Sequence, residues 1–179
     1  ELRQARQNPA HAITFRRLYL NQQVGAATGW LDVPAWRACN VPSIEKLQTG
    51  PCFVGFDLSA TEDLTAMALY WPETRALKIL LWCPSDKFLA RPEYELWCES
   101  GQMTAIPGRC IDYEVIRARL NDLAREYDVQ VVNYDGWNAW QLAKELRNDG
   151  LPMRECRQGF KSLNAPSKEL HRLILAGEL

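Results

Sequence analysis

Two aspartates, Asp57 and Asp135, each end an apolar run of the kind expected for a buried strand. The first run starts at Cys52 and the second covers Val129–Tyr134. If these strands are neighbours in a mixed sheet, the two carboxylates emerge side by side and repel unless a cation lies between them. Mg²⁺ or Mn²⁺ suits such oxygen ligands, and two such ions can activate a water and stabilise the leaving oxygen of a phosphodiester. The pattern therefore indicates metal-dependent phosphodiester hydrolysis as candidate chemistry.

A second interpretation of the same aspartates is purely structural, because Asp after a strand is often a turn former or a helix cap. Asp135 precedes Gly136 and a predicted helix, so capping alone could account for it. Asp57 precedes Leu58 and Ser59, where a turn is equally compatible. The third nearby carboxylate, Asp63, fits either a turn between two strands or a supporting metal ligand. On pattern alone, the structural interpretation is the more common one, and both stay open.

The elements that must position these aspartates follow from the periodicity of apolar residues. Short connections between the first three strands predict an antiparallel meander, and alternating helices and strands follow it. This order is the arrangement of RNase H-like folds, so we expect an α/β domain with a mixed sheet flanked by helices. The predicted strands are Cys52–Asp57, Thr65–Trp71, Leu77–Cys83, Val129–Tyr134 and Met153–Cys156. The predicted helices are Arg91–Ser100, one that begins at Asp112, Trp137–Asn148, and Ser162–Leu175 entered through Pro166.

The side chains of the third predicted helix are expected to divide between core and solvent. Trp137 and Trp140 are predicted to pack in the core, with Lys144 on an outer face.

Composition bounds the class of protein. The chain has 179 residues, a net charge of −1 and a pI of about 6.2, which argues against a constitutively tight nucleic-acid binder but permits a local basic patch. Its six cysteines form no CxxC pair and its two histidines are far apart, so we do not expect a zinc site. We expect the cysteines to be reduced thiols in a cytosol. Neither a signal peptide nor a membrane-spanning apolar run is present in the sequence.

Several ordered segments make a resemblance specific. The sequence from Gly55 to Ala66 resembles the start of the nuclease domain in tailed-phage terminase large subunits, and Tyr134–Ala139 resembles the segment that carries the family's second metal-binding aspartate. The resemblance extends over nearly the whole chain. The further matching segments are Leu18–Asn21, Trp30–Cys39, Tyr94–Trp97 with Gly101, Thr104–Gly108, Gln158–Phe160 and Leu163–Pro166.

The resemblance implies a divalent-metal-dependent DNA endonuclease that cleaves concatemeric double-stranded DNA during packaging. Asp57 and Asp135 would be the catalytic, metal-binding residues, with Asp63 as a supporting ligand and Mg²⁺ or Mn²⁺ in a two-metal site. Residues 1–50 would be the connector from an N-terminal ATPase domain, and residues 51–179 a nuclease domain that ends before the family's third metal-binding aspartate. The isolated piece would then bind metal weakly and could be inactive. The sequence contains no GxxxxGK[ST] loop, so no ATP site is expected in it.

A basic cluster near the C-terminal end supplies the candidate DNA contacts. Such residues could neutralise phosphates near the metal centre, although a solvated helix face explains them equally well. The candidates are Arg154, Arg157, Lys161 and Lys168, with Arg172 close by in sequence. The implied partners are double-stranded DNA, the ATPase domain, the small subunit and the portal, in the cytoplasm of a bacterial host and without a membrane.

Two rival hypotheses remain at this stage. One is another RNase H-superfamily nuclease such as a junction resolvase, which does not usually carry an aromatic N-terminal connector. The other is a non-catalytic module that docks on the packaging motor, and it gains if Asp57 and Asp135 point apart.

Overall fold

The computed structural model of the chain describes Leu31, residues 33–59 and residues 63–179. The chain divides between Asn40 and Val41 into two compact units. In the first unit, the described residues form one short helix, α1 (Val33–Ala38). Most of the predicted connector of residues 1–50 therefore lies outside the described residues, and its assignment stays a prediction.

The second unit is built on a six-stranded mixed sheet with the strand order β4-β3-β2-β1-β5-β6. β1, β2 and β3 form the predicted antiparallel meander, whereas β5 runs parallel to β1, β6 parallel to β5 and β4 parallel to β3. The strands are β1 (Pro51–Asp57), β2 (Thr65–Trp71), β3 (Ala76–Pro84), β4 (Thr104–Ile106), β5 (Asp128–Tyr134) and β6 (Met153–Glu155). The mixed α/β architecture predicted from the order of elements is confirmed.

Four helices of this unit connect or follow the strands. Their start signals are legible in the sequence, because Pro92 occupies the first turn of α2 and the Asp112 carboxylate accepts a hydrogen bond of 3.0 Å from the Glu114 N–H at the start of α3. The helices are α2 (Pro92–Glu99), α3 (Tyr113–Glu126), α4 (Gly136–Asn148) and α5 (Phe160–Ala176). Two 3₁₀ turns, Glu45–Leu47 and Ser85–Leu89, complete the described elements.

The two faces of the sheet differ in how well they are covered. One face carries the core, where alternating residues of β1, β2 and β5 pack with apolar side chains of α3 and α4; Val54, Leu69 and Val132 are typical members. The other face carries Phe53 and Gly55, and a Cβ added to Gly55 would meet no heavy atom within 4 Å. Because side chains alternate along a strand, the residues that follow the core positions open onto this second face.

Two boundaries differ from the predictions. An edge strand that is not among the predicted strands is present, because Thr104–Ile106 pairs with Trp82–Pro84 and three residues are too few to show a periodic pattern. The last helix starts at Phe160, so Pro166 lies inside it and does not open it. A proline there leaves the carbonyl of Ser162 without its usual helical donor, and the helix continues in spite of it.

The prediction that Trp140 packs in the core is wrong. The core face of α4 consists of Ala139, Leu142, Ala143 and Leu146, and Trp140 lies one residue away from it and is 63% exposed. Lys144 is on an outer face as predicted, with its ammonium 5.7 Å from the centroid of the Trp140 ring. The Trp137 side chain lies outside the described part of the structure.

Two further features concern the state of the cysteines and the length of the helices. All six cysteines are free thiols, as their scattered spacing predicts. Over the residues that the structure describes, none of the helices has the length and apolar character needed to cross a bilayer.

Candidate active site

Asp57 and Asp135 lie side by side at the same edge of the sheet. β1 and β5 are parallel neighbours in which Phe56 pairs with Tyr134, so the residue after each of them occupies the next position on adjacent strands. Adjacent strands are separated by about 4.8 Å. Because side chains alternate, both aspartates belong to the open face, opposite the Phe56 and Tyr134 side chains. The docking-module hypothesis would gain if these aspartates pointed apart, and the strand register brings them together.

The electrostatics of Asp57 report the same proximity. The pKa of Asp57 is raised above its ordinary value, first because the surrounding protein removes part of its water, then because of the negative charge of Asp135, and then because of Asp63. Asp57 nevertheless remains open to solvent. The Asp135 and Asp63 carboxylates are thus both close enough to act on Asp57.

Two hydroxyl oxygens accept backbone hydrogen bonds beside Asp63. The Ser59 N–H donates to the Thr65 Oγ1 over 3.0 Å, and the Asp63 N–H donates to the Ser59 Oγ over 3.0 Å. Thr65 is fully buried and Ser59 nearly so. In the sequence, the placement of Ser59 and Thr65 on either side of Asp63 is the signal for this positioning role.

The donor set fits a hard divalent cation better than any other metal. Carboxylate oxygens are the ligands that Mg²⁺ and Mn²⁺ accept, and Mg²⁺ usually takes one or two carboxylates and keeps several waters. Loss of water and then the charges of Asp135 and Asp63 raise the pKa of Asp57, and a bound cation would relieve the repulsion between these charges. Within the described ranges, no group of three or more His, Cys, Asp or Glu residues is gathered closely enough to enclose a metal ion. The site is therefore an open pair, Asp57 and Asp135, with Asp63 nearby.

The candidate DNA-contact residues are spread over β6, the following loop and α5. All four are exposed, and within the described part of the chain none forms an ion pair: Arg154, Arg157, Lys161 and Lys168. Arg154 pairs with Asn133 across the β5–β6 ladder and so lies on the same face of the sheet as Asp57 and Asp135. Arg172 differs from the four, because its guanidinium is hydrogen-bonded to Glu169 and Glu178.

Comparison with known proteins assigns the chain to a protein family. Residues 1–179 match the family described as terminase large subunit, endonuclease domain. The chain belongs to that family. Its membership confirms the resemblance drawn from the sequence and removes the junction-resolvase alternative.

Individual relatives agree with the family. The chain is 27% identical to the terminase large subunit of Enterobacteria phage HK97, over 96% of this chain and 36% of that protein. It is 25% identical to protein YmfN of Escherichia coli K12, over 97% of this chain and 42% of that protein. The crystal structure of the HK97 bacteriophage large terminase superposes with a TM-score of 0.72 at 27% identity, over 98% of this chain and 38% of that chain. The chain thus spans about two fifths of the length of these relatives.

Proposed function

We propose that this chain is the metal-dependent endonuclease domain of a viral DNA-packaging terminase and that it cleaves concatemeric double-stranded DNA. The observation that carries the proposal is the strand register, in which Asp57 ends β1 and Asp135 directly follows its parallel neighbour β5, next to the pair Phe56 and Tyr134. The pKa of Asp57 is raised by loss of water and then by the Asp135 charge, and a cation bound between the two carboxylates would relieve that repulsion. Membership of the terminase endonuclease family supports the same reaction class.

Asp57 and Asp135 would hold Mg²⁺ or Mn²⁺, and Asp63 would add a further carboxylate from the turn. When bound there, the ions would supply activation of the attacking water and stabilisation of the leaving oxygen. The water oxygen forms a bond to phosphorus, the bond from phosphorus to one ester oxygen breaks, and the leaving oxygen takes up a proton. The two strands contribute rigidity, since they keep both carboxylates at fixed separation before substrate arrives.

DNA would approach across the open face of the sheet. The net charge of −1 gives the chain no general attraction for a polyanion, so phosphate contacts must come from local cations. Arg154 lies on the same face as the carboxylate pair. Arg157, Lys161 and Lys168 extend that positive charge along the loop and α5, where they would position the backbone without reading sequence.

The proposal also covers the other parts of the packaging machinery. The relatives are longer than this chain, and residues 1–50 would connect the nuclease domain to an ATPase domain. The small subunit and the portal would be further partners, in the cytoplasm of a bacterial host.

Plasmid cleavage tests the proposal directly. We expect the full-length product of the gene to convert supercoiled plasmid to linear DNA in Mn²⁺, and its Asp57→Ala and Asp135→Ala variants to lose this activity by at least a hundredfold. Asp128→Ala is the matched control, because Asp128 is an exposed aspartate at the other end of β5, about 20 Å along the strand from Asp135. It should cut like the unaltered protein.

If the full-length protein leaves DNA intact with every divalent metal, the catalytic proposal fails and the docking-module hypothesis replaces it.

A further inference from the structure

The turn from Asp135 into α4 is pressed against a carboxylate from the next strand. Glu155, the last residue of β6, pairs with Tyr134 in the β5–β6 ladder. Its Oε1 would lie 2.8 Å, and its Cδ 3.1 Å, from a Cβ added to Gly136. A side chain at the first position of α4 would therefore displace the Glu155 carboxylate from this place.

The backbone holds Glu155 in register with the same turn. The N–H of Cys156 donates to the carbonyl of Tyr134 over 2.8 Å, so the end of β6 is attached to the residue immediately before Asp135. Because Glu155 pairs with Tyr134, its side chain belongs to the face opposite the Asp57 and Asp135 carboxylates. Glu155 therefore approaches the turn from the α4 side and not from the side of the candidate metal site.

The start of α4 needs negative charge that its own sequence does not supply. Helix N-termini carry unsatisfied N–H groups and partial positive charge, which carboxylates stabilise. The first turn of α4 contains no acidic residue. The Glu155 carboxylate lies beside Gly136, the first residue of this helix, and Asp135 directly precedes the helix. Negative charge from Glu155 would offset the positive charge of the helix end, which would otherwise attract the Asp135 carboxylate.

We propose that Glu155 is a positioning residue that supplies negative charge at the start of α4 and thereby keeps the Asp135 carboxylate directed at the divalent cation. This inference rests on the proposed function, because it presupposes that Asp135 is a metal ligand. Partners that orient a metal ligand from behind typically change metal affinity by about 10-fold to 100-fold when they are removed. Glu155 has that relation to Asp135 without touching the metal.

The test is Mn²⁺ binding to the full-length protein, measured by calorimetry without DNA. Glu155→Ala and Glu155→Gln should each weaken Mn²⁺ binding by about 10-fold or more, because both remove the charge. Gly136→Ala should weaken it in the same way, because the new methyl group takes the position of the Glu155 carboxylate. In a Glu155→Ala background, Gly136→Ala should cause no further loss, since the group it displaces is already gone.

Two outcomes would overturn the inference, and folding is monitored by Tm in each variant. If Glu155→Ala lowers Tm but leaves Mn²⁺ affinity unchanged, Glu155 is only structural. If Gly136→Ala weakens Mn²⁺ binding equally with and without Glu155, its effect does not pass through the glutamate. The Asp135→Asn variant separates the positioning role from the proposed function. If Asp135→Asn binds Mn²⁺ as tightly as the unaltered protein, the proposed function fails. If Asp135→Asn loses Mn²⁺ affinity and Glu155→Ala does not, only the positioning role of Glu155 fails.

Discussion

The rings of Phe56 and Tyr134 stack with their centroids 6.2 Å apart and their planes 17° from parallel, one residue before each of the two candidate metal ligands. Both rings are buried on the core face. Asp57 and Asp135 directly follow the two stacked residues in the sequence. The Tyr134 hydroxyl also accepts a hydrogen bond of 2.6 Å from Arg147, which links the end of β5 to the last turn of α4.

The stacked pair leads to a prediction that separates stability from metal binding. Tyr134→Phe keeps the ring but loses the bond from Arg147, so unfolding free energy should fall by about 1–3 kcal/mol with Mn²⁺ affinity unchanged. Phe56→Leu keeps the volume but not the planar contact, and should weaken Mn²⁺ binding at a stability cost below about 1.5 kcal/mol. Denaturant unfolding and calorimetry check both. Equal Mn²⁺ affinities for the two variants would show that the rings do not set the carboxylate spacing.

In the absence of metal, the ionised Asp57 carboxylate should lower the stability of the folded protein. A carboxyl group has an unfolded pKa of about 3.9, and that of Asp57 is raised in the folded state. The folded protein therefore retains this proton more tightly, and the stability it contributes is present below the unfolded pKa and is lost as pH rises through the folded value. In EDTA at neutral pH, Asp57→Asn should have a higher Tm than the unaltered protein.

Addition of Mn²⁺ should reverse the order of the two Tm values, so that the unaltered protein becomes more stable than Asp57→Asn. Mn²⁺ at a hundred times its Kd stabilises a single site by about 2.7 kcal/mol, or roughly 5–10 °C for a domain of this size. The unaltered protein should show this rise and Asp57→Asn should not. A similar rise in both proteins, followed by thermal denaturation, would place the cation elsewhere.

The Thr65 hydroxyl should prove necessary for the turn beside the site. Thr65→Val is nearly isosteric, but it leaves the buried Ser59 N–H without its acceptor, which should cost about 1–3 kcal/mol of unfolding free energy. Because the same turn holds the Asp63 N–H through Ser59, Mn²⁺ affinity should fall as well. Thr65→Ser retains the acceptor and is the matched control. If the serine variant loses Mn²⁺ affinity to the same extent, the lost methyl group and not the hydrogen bond is responsible.

Among the C-terminal basic residues, Arg154 should contact DNA and Arg172 should not. Each phosphate contact releases counterions, so Arg154→Gln should reduce the slope of log affinity against log salt by about one. Arg172→Gln removes the same charge from a guanidinium already bonded to Glu169 and Glu178, and the slope should stay unchanged. Fluorescence anisotropy with duplex DNA over a salt series measures both slopes. The same slope change in both variants would mean that only net charge matters.

The free thiols should differ strongly in reactivity. Burial raises the pKa of Cys52 to about 11 and also raises that of Cys83, so at pH 8 only about one Cys52 in a thousand is the reactive thiolate. Cys110 is exposed and should be alkylated first. Iodoacetamide labelling followed by mass spectrometry should find Cys52 and Cys83 modified only after denaturation. Fast labelling of Cys52 would mean that β1, which carries Asp57, opens readily.

The sequence by itself determined the elements and the two aspartates that end strands. Apolar runs of six or seven residues, the Asp112 cap and Pro92 are local signals, and the strands and helices they predict are present with small shifts at the ends. Local signals also explain the failures: three residues are too few for Thr104–Ile106 to show periodicity. The prediction that Trp140 is buried is wrong because it follows from the size of the aromatic side chain. The position of Trp140 on the helix, one residue from the core face, places it in solvent.

Only the tertiary structure decided which residues meet. β1 and β5 are about 75 residues apart in sequence, and their parallel register, which sets Asp57 beside Asp135, depends on packing that no local pattern encodes. The same holds for the contact between Glu155 and Gly136, where a strand end and a helix start come together across the sheet. Such contacts follow from the register of paired strands, because a shift of one residue would turn every side chain to the other face.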